Sequence, residues 1–282
     1  HLPEGSLQAG RPIDLPLWDL TARLMHLPLY KLLGARGKRQ IELYDASIYI
    51  DDLEMSDSET ISLFRSEIES GQEYGYKHFK VKVGRGARWM EPEAGLQRDA
   101  LVIRTVRQAC DPGARLMIDA NMAWTADEAI VIGRKFEQYD LFWLEEPVPC
   151  EDFSGYARIA NALDIRIVGG ETHFTRFDMR PFFENPNLPI LQPDIMRGGF
   201  TELRKIANLA DTWGMTLAPH LFPELMVQLM ASISNPLVIE YVNWMDDAWV
   251  EPVLPVDGFY SAPERPGHGL QFKKEFITEY VI

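Results

Sequence analysis

Residues 116–147 read LMIDANMAWTADEAIVIGRKFEQYDLFWLEEP. A short apolar run ends in Asp119, an amphipathic stretch covers 125–138, and a second apolar run ends in Glu145. Continuous apolar runs of this length fit parallel strands buried on both faces. Thr125, with Glu128 three residues later, supplies the reciprocal capping pair that opens a helix. The stretch is a β-α-β unit in which both strands finish on a carboxylate.

The same beat recurs on either side. Runs at 41–49, 79–83, 167–171, 190–194, 215–220 and 237–241 join those at 116–119 and 141–145, with helical stretches between them. One of these, 201–213, is closed by Gly214, a residue suited to helix termination. Eight strands alternating with helices predict an α/β fold of the barrel type rather than an open sheet. Such barrels collect their catalytic groups at the C-terminal ends of the strands, and nearly every run here ends on a polar residue. Residues 41–250 are therefore expected to form the catalytic barrel. Outside the repeat lie residues 1–40, with a helix-like segment at 17–33, Gly34 and a basic loop, and residues 251–282, rich in Pro and Gly.

The composition narrows the function classes. The 282 residues are 46% hydrophobic and 25% charged, enough for a sizeable core. A formal net charge of −14 argues against nucleic acid and anionic membranes, which both reward basic surfaces. No run approaches a membrane span, and residues 1–20 lack a signal-peptide pattern. The two cysteines, Cys110 and Cys150, are too few for a disulfide framework, so a reducing cytoplasm is the expected setting. The partner class left is a small molecule, an acidic one included, provided that a metal or a few lysines reverse the local sign.

Asp119, Glu145 and Glu171 end three successive strands, so their side chains are expected at one barrel mouth. Three converging carboxylates repel one another without a cation, and an all-oxygen set suits Mg²⁺ better than zinc. Any one of them alone would as readily cap a helix or pair with an arginine. Lys80 and Lys82 are two apart on a strand and share a face. A lysine crowded by a second lysine and a metal has its pKa pushed down, which makes it a usable base, although Lys-x-Lys is also what a solvated strand edge shows. Asp194 and His220 end neighbouring strands, where a carboxylate would fix the imidazole's tautomer and raise its basicity. Glu240 ends the eighth strand, either as a buried acid that donates a hydrogen bond or as a member of a structural salt bridge.

Lys80-Val-Lys82, Ile118-Asp119-Ala120-Asn121, Trp143-Leu144-Glu145-Glu146-Pro147, Gly170-Glu171, Gln192-Pro193-Asp194 and Pro219-His220 together resemble the enolase superfamily, mandelate racemase subgroup. The likeness runs from about Asp14 to Glu240. It implies a (β/α)₇β barrel with Asp119, Glu145 and Glu171 as Mg²⁺ ligands. It also implies Lys82 as one acid/base supported by Lys80, the Asp194–His220 dyad as the other, and Glu240 as hydrogen-bond partner of an enolate. Asn121 resembles a residue that contacts the substrate carboxylate. Family members begin with an α+β capping domain, of which residues 1–40 look like the last part, with 251–282 packing on it. Homo-oligomers are common in the family.

The expected reaction is removal of the proton α to a carboxylate. Dehydration of a sugar acid to a 2-keto-3-deoxy acid is preferred, because members with both bases are mostly acid-sugar dehydratases. His173, Arg176, Asn243, Asp246 and Asp247 follow strands five and eight and could bind a polyhydroxy chain. Tyr44, Trp124 and Trp244, read as rim aromatics, would instead favour a racemase of a 2-hydroxy acid. A non-catalytic barrel is disfavoured because every expected position is occupied, and muconate-type cycloisomerisation because that subgroup typically places lysine opposite Lys82.

Overall fold

A computed structural model describes residues 11–35 and 39–280. Of the two end segments expected from the sequence, residues 1–10, 36–38 and 281–282 lie outside the described residues. The described residues divide into two compact units, one of residues 44–170 and 180–191, the other of those within 11–43, 171–179 and 192–280.

The 44–170 unit is built on a parallel sheet. β2 (Phe79–Lys82) pairs with β3 (Leu116–Asp119) in continuous register, Lys80 beside Met117 and Lys82 beside Asp119. β3 pairs with β4 (Leu141–Glu145), which places Asp119 beside Glu145, and β4 pairs with β5 (Arg166–Val168). The last residues of β1 (Gln40–Ile48) pair with β2. All four residues of β3 are buried, as its continuous apolar character requires. Between the strands run α1 (Asp57–Glu73), α2 (Pro92–Ala109), α3 (Ala126–Phe136) and α4 (Phe153–Ala162). The capping pair read from the sequence at Thr125 and Glu128 opens α3, and Ser56 with Glu59 opens α1 in the same way.

In the other unit the helical segment expected at 17–33 is broken. One helix covers Arg11–Leu24 and a single turn covers Leu29–Leu32. His26 takes a left-handed φ of 53°, and Pro28, which has no N–H and disfavours a helical residue before it, blocks continuation. The long helix α5 (Ile195–Thr212) packs on Arg11–Leu24, with Trp18 Nε1 donating to Thr201 Oγ1 at 2.9 Å. Gly199, at φ 66°, kinks α5 where an added Cβ would sit 2.5 Å from Asp14 Oδ2. The expected helix 201–213 is thus the straight part of a longer, kinked one. α6 (Pro223–Met230) and β8 (Ile239–Tyr241) follow, and β9 (Phe259–Ser261) runs antiparallel to the first residues of β1.

Every expected run carries a strand, but the later ones are short: Arg166–Val168, Ile190–Leu191 (β6) and Thr216–Leu217 (β7). Glu171, Asp194 and His220 therefore sit just past strands rather than at their last residue. Pro193 and Pro219, which lack N–H groups, help to cut the ladders short. No described helix is long and apolar enough to cross a membrane.

Candidate active site

In the 44–170 unit, the period-two geometry of β2 turns Lys80 and Lys82 to the same side, and each meets a carboxylate from a neighbouring strand. Lys80 Nζ donates to Glu145 Oε1 at 2.7 Å and lies 3.7 Å from Asp119 Oδ2, with all three side chains at most 2% exposed. Lys82, 23% exposed, is hydrogen-bonded to Asp119 Oδ2. Trp143 Nε1 adds a bond to Glu145 Oε2 at 3.1 Å. The sequence reading missed this bond, although the i, i+2 spacing of Trp143 and Glu145 contains it. The backbone closes in as well: Asn121 N–H donates to Asp119 Oδ1 at 2.8 Å. Asn121, Met122 and Glu146 all have positive φ (50°, 61° and 38°), a concentration of backbone strain directly after the strands that end in Asp119 and Glu145.

Burial works to raise the Asp119 pKa, but Lys80, Lys82 and the Asn121 N–H outweigh it and hold the group below the usual carboxylate range. For Lys82, burial works downward, yet the adjacent Asp119, with Glu145 behind it, lifts the ammonium above its ordinary value. The depressed lysine expected from the sequence belongs to the metal-bound site; here a buried carboxylate in direct contact outweighs both desolvation and the second lysine.

The other unit holds the remaining candidates. A parallel bridge joins Asp194 to His220, and His220 Nδ1 lies 2.8 Å from Asp194 Oδ2. Asp194 Oδ1 accepts the Met196 N–H at 2.6 Å, so the same carboxylate caps α5 and orients the imidazole. A carboxylate only accepts, so Nδ1 donates the proton in this contact. Nε2 lies 3.5 Å from Glu171 Oε2. Glu240, 3% exposed, accepts the Leu221 N–H at 2.8 Å; Leu221 and Phe222 both sit at left-handed φ values, 47° and 49°. His173 is half-buried in the stretch after Glu171.

Two groups of secondary candidates move. Arg176 is bidentate to Glu202, at 2.7 and 2.9 Å, and is committed to a structural pair within its unit. Tyr44 and Trp124 are not rim aromatics: both are buried, and Tyr44 packs edge-on against Trp143 at 5.3 Å and lies under Lys80 Nζ. Trp244 is 59% exposed. Among the described residues no group of three or more His, Cys, Asp or Glu side chains is placed so that it could hold a metal ion. The carboxylates described above meet ammonium, imidazole or N–H groups instead. Asp119 and Glu145, buried, all-oxygen and already faced by positive charge, are nonetheless chemically suited to a hard divalent cation.

Beside this loop, Glu224 in the first turn of α6 is pushed up to about 7 by burial, with Asp246 adding to it. Its folded pKa lies above its unfolded value of 4.5, so its contribution to stability is fully present below 4.5 and is lost as pH rises to about 7. The shift corresponds to about 3 kcal/mol. Glu224→Gln is expected to raise Tm at pH 8 by roughly 5–10 °C and to change it little at pH 4.5. Equal shifts at both pH values would assign the effect to packing rather than charge.

Comparison with known proteins finds many relatives. The family model described as Enolase C-terminal domain-like matches residues 64–276. The D-galactarolactone cycloisomerase of Agrobacterium fabrum is 31% identical over 98% of this chain and 74% of its own length. A crystal structure of a racemase from Streptomyces coelicolor A3(2) with bound magnesium superposes with a TM-score of 0.86, at 31% identity, over 98% of this chain and 72% of that one. L-Talarate dehydratase from Polaromonas sp. JS666, complexed with Mg and L-glucarate, gives 0.84 at 31% identity, over 97% of this chain and 69% of that one. Further relatives include arabinonate, L-talarate/galactarate and D-xylonate dehydratases. With three quarters of its length matched by the family model and relatives of this kind at about a third identity, the chain belongs to the enolase superfamily.

Proposed function

We propose that the protein removes the proton α to the carboxylate of an acid sugar and eliminates the C3 hydroxyl, giving a 2-keto-3-deoxy acid with Mg²⁺ as cofactor. The observation that carries this reading is the Asp194–His220 hydrogen bond: an imidazole with Nδ1 anchored by a carboxylate can offer Nε2 as an acid or base. In this reading residues 41–250 form a (β/α)₇β barrel, with residues 1–40 and 251–282 on its capping side. Asp119, Glu145 and Glu171 would hold the metal. When bound, Mg²⁺ neutralises the Asp119 carboxylate that now raises the Lys82 pKa and offsets charge on the substrate's oxygens.

The chain's own groups do the rest. Lys82 or His220, according to the configuration at C2, takes the α-proton, and the C–H electron pair passes into an enediolate. Lys80 and a protonated Glu240 stabilise the oxygens on which charge develops. Asn121, Lys80 and His173 orient the substrate. The opposite group of the two, in its protonated form, then gives a proton to the departing C3 hydroxyl, so that water leaves as the C2–C3 double bond forms, and the enol tautomerises to the keto acid. Where no hydroxyl leaves, return of a proton to the opposite face gives racemisation or epimerisation.

The test is incubation of the full chain and Mg²⁺ with a library of mono- and dicarboxylic sugar acids, with 2-keto acid detected by semicarbazide. A keto acid that disappears with EDTA supports dehydration. No keto acid, but exchange of α-protons with D₂O, moves the reading to racemisation. Neither, from a protein shown by calorimetry to bind Mg²⁺, overturns α-proton abstraction. We propose self-association on the same footing, to be read from sedimentation of the purified chain.

A further inference from the structure

The loop after β2 carries two arginines with opposite fates. Arg85 is fully buried and neutralised by Asp52 at 2.6 Å and Asp99 at 2.7 Å. Arg88, one helical turn on, is exposed, and among the described residues no carboxylate lies within ion-pair distance of it. It is held by neutral contacts: Nη2 donates to the Asn121 carbonyl at 2.5 Å, and the guanidinium lies 5.8 Å from the centre of the Trp89 ring.

Arg88 lines a cavity of about 310 Å³ that also contains Lys82, Asn121, Tyr49, Ile50 and Trp89, all from the 44–170 unit. Most of that lining is apolar, which makes each polar group in it a determinant of orientation. Gly84, at φ 94°, lets the loop turn here; an added Cβ would stand 2.7 Å from the Ala123 Cβ. The cavity thus joins the candidate base Lys82 to one further fixed cation. A guanidinium with donors to spare is suited to bidentate binding of a carboxylate, and an acidic protein that takes a dianion needs such a local reversal of sign.

We infer that Arg88 binds a second carboxylate at the far end of the substrate, so that the preferred acid sugar is a dicarboxylate rather than a monocarboxylate. This rests on the proposed α-proton abstraction and narrows its substrate class. The carbon chain between the two acid groups would lie along Tyr49 and Trp89.

The test uses pairs of hexaric and hexonic acids of matched configuration, with the full chain and Mg²⁺. Two readouts are taken: α-proton exchange in D₂O by NMR, and binding by calorimetry. The wild type is expected to prefer the diacid of a pair. Arg88→Gln should lower the diacid-to-monoacid ratio of kcat/KM by about 10- to 100-fold, the worth of a charge-assisted hydrogen bond, and Arg88→Lys should restore only part of it. A wild-type preference for monoacids, or an Arg88→Gln variant that weakens both members of a pair equally, overturns the inference. If no acid exchanges its proton, the parent reading fails. Calorimetry then decides on Arg88 alone, since diacids that bind no more tightly than their monoacid partners overturn the inference by themselves.

Discussion

Lys82→Ala and His220→Asn are each expected to lower kcat for the preferred acid sugar by about 10²- to 10⁴-fold, the range for loss of a positioned acid or base. The two variants should differ in kind. In the proposed mechanism each group serves one configuration at C2, so His220→Asn should abolish α-proton exchange for one series of epimers and spare it in the other, with Lys82→Ala doing the reverse. Asn at 220 can keep a donor toward Asp194, whose Oδ1 is independently held by the Met196 N–H, so the loop should survive the change. Lys82→Ala is less clean. It removes one of the two ammonium groups that hold the Asp119 pKa down, so that pKa should rise and metal affinity should fall with it at low pH. Mg²⁺ titration of both variants by calorimetry separates lost base from lost metal. If one variant silences both epimeric series while still binding Mg²⁺ normally, the two-base assignment is wrong.

How far the sequence could reach is clear from individual residues. The strand-end carboxylates Asp119 and Glu145 and the paired lysines were legible because a strand's period of two leaves no freedom: the pairing of Lys82 with Asp119 follows from register. The capping pair at Thr125 and Glu128 was equally local. Burial was harder to read. Tyr44 was expected at the rim and is fully buried, because alternation along β1 does not say which face meets Trp143 and Lys80. Arg85 and Arg88 look alike in sequence, and only the distant Asp52 and Asp99 decide which of them is buried. At the kinked Gly199 an added Cβ would meet Asp14, far away along the chain. Contacts of this sort have no periodic signature.

Arg85→Met is expected to cost about 3–5 kcal/mol of stability, the usual penalty for removing one partner of a buried ion pair. On a chain of this size that is a fall in Tm on the order of 10 °C. Arg85 gives Nε and Nη2 to Asp52 at 3.0 and 2.6 Å, and Nη1 to Asp99 at 2.7 Å and to the Lys82 carbonyl at 3.1 Å. Asp52 retains Arg98 at 3.3 Å when Arg85 is gone, so the larger loss falls on Asp99. Burial already raises the Asp99 pKa against the pull of Arg85, and the N–H groups of Gly84 and Arg85 alone cannot replace that cation. In the variant the pKa should rise further. An acid with a folded pKa above its unfolded value contributes most below the unfolded value and loses that contribution as pH rises. The deficit of Arg85→Met should therefore be smaller at pH 4.5 than at pH 7.5, and adding Asp99→Asn should recover part of it at pH 7.5 only. Denaturant unfolding at the two pH values measures both effects. Equal deficits, with no recovery from the second substitution, would mean that the arginine acts through its volume. The charge network would then have no part in fixing the loop that sets the Lys82 backbone and presents Arg88.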